Sequence, residues 1–372
     1  MSLIHVNNNS VENIQSKIID FLRLPLVIAV LFIHDTTSVV LVNGKYFGSE
    51  AEMPFFQYFS CFFSEVIGRI AVPLFFFISG FLFFQNIQIF NLQVYKSKLK
   101  TRLKTLLVPY LFWNFIVIAL FFMLQNIPFL KGFANRELIL NDFFSFFWDN
   151  QGEVFSSKMQ GFPISYQFWF IRDLMVVVLL TPFIYLLNRY SKFYGIILLG
   201  ILFIMDWWFS LTGFSIVGIF FFSSGAYFGI NKRNLLADFA IIKNYSFVLY
   251  PLFAFADMLT KKYDFNSYIH NIGILIGIVF IFNITTILFE KRKIKSVPFL
   301  SAASFFVFAI HEPFLMKTFF KISFMILQPE SDLLITALYF LKVPFVVITA
   351  LGIYWILKKK FPRFTAIIIG GR

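Results

Sequence analysis

Arg23 and His34 are the two residues of the first apolar segment, FLRLPLVIAVLFIH (residues 21–34), whose side chains could do chemistry. In an α-helix their separation gives a rise of about 16 Å and about three full turns, so both side chains share one face at different depths. Arginine binds phosphate well, and an imidazole with a reference pKa near 6.5 suits general-base work. Alone, the arginine could snorkel and the histidine could bond to another helix. The shared face favours a functional pair.

Further ionisable side chains lie inside other apolar segments, where their cost makes each a functional hypothesis. Arg69, Arg172 and His311 fall in the same half of their segments as His34, so they can converge with it if the helices pack together. The alternative for Arg172, which adjoins Asp173, is an anchor at a span end. Lys342, in the last segment, could snorkel to the interface.

A run of cations, KSKLKTRLKTLLVPY (residues 96–110), precedes the third apolar segment. It includes Lys98 and Arg102. One interpretation is a cytoplasmic loop that contacts anionic lipid headgroups. The other is a phosphate-binding patch, with Arg23 at its membrane end.

Composition indicates what must position these residues. The 372-residue chain is 59% hydrophobic and 14% charged, with a formal net charge of +13 and a mean hydropathy of +0.79. Apolar runs of about 20 residues recur throughout, which predicts an all-α, polytopic membrane protein. The positive charge then reflects basic loops, and we expect no nucleic-acid partner.

Ten membrane spans are predicted, and most lysines and arginines between them fall in one set of loops, so both termini are expected in the cytoplasm. The predicted domains are a cytoplasmic tail over 1–17, a membrane domain over 18–357 and a basic cytoplasmic tail over 358–372. The longest loop, 127–166, lies outside; it is either functional or an anchor on the membrane surface. The spans are 18–42, 66–85, 106–126, 167–187, 194–210, 214–231, 239–257, 268–289, 298–318 and 334–357.

The ordered motifs resemble the acyltransferase 3 family. They are the Arg23-to-His34 spacing, RIAVPLFFFISGFLFF from Arg69, the basic stretch before LLVPYLFW, FWFIRDL and a late FAIH. The resemblance extends from residue 21 to about 357 and looks like the stand-alone, ten-span form. Leu24 and Pro25 depart from the small residue and alanine usual after the first arginine.

The resemblance implies a bacterial inner-membrane O-acyltransferase. Its donor would be cytoplasmic acyl-CoA, most often acetyl-CoA, and its acceptor a hydroxyl of a cell-surface or lipid-linked saccharide. Arg23, Lys98 and Arg102 would bind the CoA phosphates, and His34 would be the catalytic base or would carry the acyl group transiently. Arg69, Arg172 and His311 would stabilise the oxyanion or orient the acceptor.

Three rival interpretations remain open. The first is a glycan or lipid transporter, for which an inverted repeat or paired broken helices would be expected. The second is a membrane sensor, which would not need an arginine and a histidine on one face. The third is succinyl instead of acetyl transfer. No permanently bound cofactor or metal is expected, because the four histidines lack ligand spacing.

Overall fold

The computed structural model describes residues 8–35, 40–42, 45–47, 53–126, 143–149 and 161–371. This part of the chain is helical, as predicted, except for one short hairpin. In the hairpin, β1 (Val40–Val42) pairs antiparallel with β2 (Lys45–Phe47). Most of the long 127–166 loop lies outside the described residues.

From Trp169 onward, the helices follow one another with short connections. Cys61–Ile67 and Leu103–Leu107 are π-helical turns that continue α2 into α3 and α4 into α5, and another π turn, His311–Leu315, separates α14 from α15. The helices are α1 (Asn8–His34), α2 (Pro54–Ser60), α3 (Ala71–Phe84), α4 (Leu92–Arg102), α5 (Val108–Asn126), α6 (Ser145–Trp148), α7 (Trp169–Leu179), α8 (Thr181–Tyr190), α9 (Lys192–Ile204), α10 (Ile216–Ile230), α11 (Leu235–Ile241), α12 (Lys243–Thr260), α13 (Asn266–Glu290), α14 (Pro298–Ile310), α15 (Met316–Leu327), α16 (Asp332–Lys360) and α17 (Pro362–Ile368).

A helix or a bent helix pair occupies each predicted apolar segment. By length and composition, five helical stretches of the described chain could cross a membrane, or seven if each of the bent pairs α7–α8 and α11–α12 is one span. Helices α9 and α10 are apolar but shorter. Helix α1 is not among the five, because Lys17, Asp20 and Arg23 all fall within its length.

Helices extend into both predicted tails. Helix α1 already begins at Asn8 and ends at His34, so it starts within the expected 1–17 tail and does not continue to residue 42. Pro25 stays inside the helix, although it lacks the N–H that would bond one turn back. At the other end, Trp113 Nε1 donates to the Ile368 carbonyl at 3.0 Å. Residues after 358 thus pack against α5.

Close helix packing holds the centre of the molecule together. Helices α3 and α10 approach so closely that a Cβ added at Gly80 would collide with the Phe222 carbonyl, and one at Gly225 with the Phe77 carbonyl. Small residues allow this backbone contact within a membrane bundle. Helix α1 packs along α14 and α3, which brings its polar face toward the centre.

Candidate functional site

One face of helix α1 lines two cavities. Arg23 and Val27 line the first, which we call the arginine cavity, and Val30 and His34 line the second, which we call the histidine cavity. These positions follow the helical spacing i, i+4, i+7 and i+11, which places them on one stripe. The predicted shared face of Arg23 and His34 is therefore present, with one residue at each cavity.

The arginine cavity has a volume of about 140 Å³ and is lined by two guanidinium groups, those of Arg23 and Arg102. Arg23 also pairs with Asp20 at 3.1 Å, and both side chains of that pair are partly exposed. Ser79 and Ser304 add hydroxyl groups to the wall. This combination of cations and hydroxyls can bind an anionic group such as a phosphate.

Lys98 does not line either of these cavities. Its Nζ lies 5.8 Å from the centre of the Phe83 ring, and the Arg102 guanidinium lies 6.0 Å from the same ring. Since the two residues are one helical turn apart on α4, Lys98 adds positive charge beside the arginine cavity without forming its wall. The structure brings Arg23 and Arg102 together and leaves Lys98 next to them.

The histidine cavity is larger, with a volume of about 420 Å³. Its wall includes His34, the exposed side chain of Arg69, and polar groups of Gln167 and Asn271. The His34 ring makes an edge-to-face contact with Tyr166, with 5.0 Å between ring centres. Within the described part of the chain, no carboxylate lies within ion-pair distance of Arg69. His34 and Arg69 thus share this cavity, as predicted from their depths.

Phe170 and Phe308 line both cavities. Their rings meet edge to face, with 5.4 Å between centres and an interplanar angle of 85°. Such contacts are favoured between aromatic side chains. The two cavities therefore lie in series along α1, and an apolar ring pair stands between them.

His311 lies beside His34 where helix α14 ends. The two ring centres are 5.3 Å apart, and His311 is completely buried. Its Nδ1 bonds to the Phe308 carbonyl at 2.5 Å, so Nδ1 carries the hydrogen. Nε2 then holds the lone pair of the neutral ring and has no hydrogen-bond partner among the described residues. The structure thus brings His311 to His34, as predicted.

The break after α14 is supported by Gln167, which lies just before α7. Pro313 has no N–H to donate to the Ala309 carbonyl, and Glu312 has non-helical dihedral angles (φ −123°, ψ 144°). Gln167 Nε2 compensates by donating to the Glu312 carbonyl at 2.5 Å and to the Ala309 carbonyl at 3.4 Å. This break gives His311 its fixed position, and sequence reasoning had not singled out Gln167.

The structure does not bring Arg172 to the histidine cavity. The side chain is buried and bonds to Asp173 Oδ1 and to the backbone carbonyls of Trp148 and Gly161. Its donors therefore join α7 to the residues on either side of segment 150–160. These contacts use its guanidinium group, so the structure leaves Arg172 outside the histidine cavity.

Asp35 and Lys342 form a buried ion pair that sequence reasoning missed. Lys342 Nζ donates to Asp35 Oδ1, and it also lies 5.3 Å from the centre of the Phe320 ring. Both side chains of the pair are buried. Removing one partner of such a pair typically costs about 3–5 kcal/mol. The pair connects α16 to the residue after His34, so Lys342 does not snorkel. The only sequence signal for this pair was the presence of two opposite charges in apolar segments.

Two sequence comparisons relate the chain to known proteins. The sequence profile of the acyltransferase 3 family, described as an acyltransferase domain, matches residues 16–359. The succinoglycan biosynthesis protein ExoH of Rhizobium meliloti (strain 1021) is 24% identical over 371 residues, covering 97% of this chain and 93% of ExoH. No solved structure matches the chain.

Proposed function

The chain belongs to the acyltransferase 3 family, and from this premise we propose that it moves an acetyl group from acyl-CoA to a saccharide hydroxyl on the opposite side of the membrane. The chain is an acyltransferase that transfers groups other than aminoacyl groups. Its similarity to ExoH supports a polysaccharide as the molecule that is modified. The acceptor is a surface glycan or a lipid-linked saccharide.

The observation that carries the proposal is the serial arrangement of the two cavities along α1. The helical rise from Arg23 to His34 is about 16 Å, comparable to an extended pantetheine arm. The CoA phosphates bind Arg23 and Arg102, and Lys98 adds a nearby charge. The arm then passes between Phe170 and Phe308, whose apolar rings exclude water and ions when it is absent.

The proposed chemistry uses His34 as general base. His34 takes the proton of the acceptor hydroxyl while the hydroxyl oxygen forms a bond to the thioester carbon. The carbon–sulfur bond then breaks, and the imidazolium returns the proton to the CoA thiolate. Arg69 stabilises the oxyanion, and His311 Nε2 is available to accept a hydrogen bond beside His34. A transient acyl-His34 is the alternative route.

We further propose ten spans, with both termini in the cytoplasm of a bacterial inner membrane. Helices α1, α9 and α10 supply the three spans beyond the seven recognised by length and composition. The membrane domain then covers 18–357, and the distribution of loop cations supports the orientation. Arg23 faces the cytoplasm and His34 the opposite side.

Succinyl transfer is the second candidate, and Arg69 is the observation that favours it. Its exposed guanidinium lies on the cavity wall without a carboxylate partner in the described chain, so it could pair with the free carboxylate of a succinyl group. The two candidates therefore differ in the preference between succinyl-CoA and acetyl-CoA that they predict for a variant without this charge.

We expect the purified protein in lipid nanodiscs to release CoA from acetyl-CoA when glycan is added, using glycan extracted from a strain that lacks this gene. Release of free thiol and mass analysis of the glycan measure the reaction. The second candidate would be established if the wild type prefers succinyl-CoA and Arg69→Gln lowers that preference by about tenfold or more. This factor corresponds to one charge-assisted hydrogen bond. If the protein neither binds nor consumes either donor, a transporter is favoured.

A further inference from the structure

The wall of the histidine cavity contributed by α13 carries two polar residues that the proposed chemistry does not use. These are His270 and Asn271, near the start of the helix. Ile274, one turn later, continues the same wall with an apolar side chain. The polar part of this wall is therefore confined to the end of α13 that lies with His34.

A buried carboxylate fixes the orientation of His270. Asp257 on α12 is 3% exposed, and its Oδ2 lies 2.8 Å from His270 Nδ1. The same carboxylate accepts hydrogen bonds from Lys261 Nζ and Asn266 Nδ2, each at 2.8 Å. Because Nδ1 is bound to Asp257, the other ring nitrogen, Nε2, is left for a ligand in the cavity.

Asn271 is also held in one orientation. Its Nδ2 donates to the Phe203 carbonyl at 3.0 Å and to the Ile204 carbonyl at 3.4 Å, both at the end of α9. The amide nitrogen is therefore occupied, and Oδ1 remains as a hydrogen-bond acceptor on a residue that lines the cavity. A fixed acceptor of this kind suits a hydroxyl donor.

The remaining wall completes the chemistry of a saccharide site. Trp169 offers an aromatic surface for the carbon–hydrogen face of a sugar, and Arg69 offers donors to its oxygens. A few fixed polar groups within a mostly apolar cavity are typical of small-ligand sites. Among the described residues that line the cavity there is no carboxylate, so the wall suits neutral hydroxyls better than a cation.

We propose that His270 and Asn271 form the acceptor subsite and bind hydroxyls of the saccharide other than the one that reacts. His270 Nε2 and Asn271 Oδ1 touch the ligand, and Asp257 is a positioning residue that acts through His270. This inference rests on the proposed function, and it assigns the acceptor to the α13 wall, opposite the donor end of the path.

The test separates acceptor binding from donor binding. His270→Leu and Asn271→Leu are each expected to raise the KM for extracted glycan about tenfold or more, since a saccharide hydroxyl buried in the cavity loses its hydrogen-bond partner. The KM for acyl-CoA should change less than twofold. His270→Gln should recover part of the glycan affinity, and Asp257→Asn should give a smaller rise than His270→Leu.

Tyr268→Leu is the matched control, because Tyr268 lies in the same part of α13, is 42% exposed and does not line the cavity. A glycan KM unchanged in His270→Leu, or equal rises in both KM values, would overturn the subsite. If a leucine variant fails to fold, His270→Gln and Asn271→Ser replace it, and the change in glycan KM is again compared with the change in acyl-CoA KM. Wild-type protein that consumes no acyl-CoA would instead refute the proposed function.

Discussion

Replacing His34 by alanine is expected to lower acyl transfer by about 10²–10⁴-fold, the range that a positioned general base contributes. His34 ends the polar face of α1 within the histidine cavity and contacts both Tyr166 and His311. Acylation of the glycan by cells that carry only the variant measures the effect, together with the amount of protein in the membrane. Acyl-CoA binding should persist, because the arginine cavity is unchanged.

Ile14→Ala is the matched control for this variant. Ile14 lies on the same helix, is 39% exposed and lines neither cavity, so its truncation should leave acylation unchanged. Full acylation of the glycan by His34→Ala at a normal protein level would contradict the role of His34. Accumulation of an acylated protein in wild type but not in His34→Ala would identify the acyl-histidine route.

Replacing Arg23 and Arg102 by alanine is expected to weaken acyl-CoA binding by about tenfold or more for each residue. A hydrogen bond to a charged group contributes about 1.5–3 kcal/mol, and 1.4 kcal/mol is a factor of ten. Both guanidinium groups line the arginine cavity, so the affinity of the double variant for acyl-CoA should fall about 10²-fold or more. Equilibrium binding of labelled acetyl-CoA to purified protein measures this directly.

Lys100→Ala is the control, because it removes the same charge from α4 at an exposed position away from the cavity. The affinity of this control variant for acyl-CoA should change less than twofold. Lys98→Ala should fall between the control and Arg102→Ala, since Lys98 lies beside the cavity. Equal losses in all of these variants would show that the cations act only through general surface charge. No loss in Lys98→Ala or Arg102→Ala would favour the lipid interpretation of the run.

The parts of the site predicted from sequence are those that depend on local periodicity. The spacing of Arg23 and His34 fixes their common face through helix geometry alone. The depths of Arg69 and His311 place them near His34 once the helices pack. The position of each apolar segment likewise follows from its length, although the exact ends do not, as α1 shows by stopping at His34.

The remaining parts depend on contacts between distant helices. Asp35 and Lys342 are 307 residues apart, and no local pattern joins them. The guanidinium of Arg172 lies among backbone carbonyls of a loop, which the polarity of the residue alone does not indicate. His270 became a candidate only when the fold placed Asp257 beside it and the histidine cavity in front of it.

The central claim is that donor and acceptor meet from opposite sides of the membrane along α1. Proteoliposomes with protein of known orientation can hold labelled acetyl-CoA on one side and extracted glycan on the other. Label should reach the glycan only when acetyl-CoA contacts the side that carries Arg23 and the C-terminus. Label that reaches the glycan only when both substrates are on one side would contradict the claim.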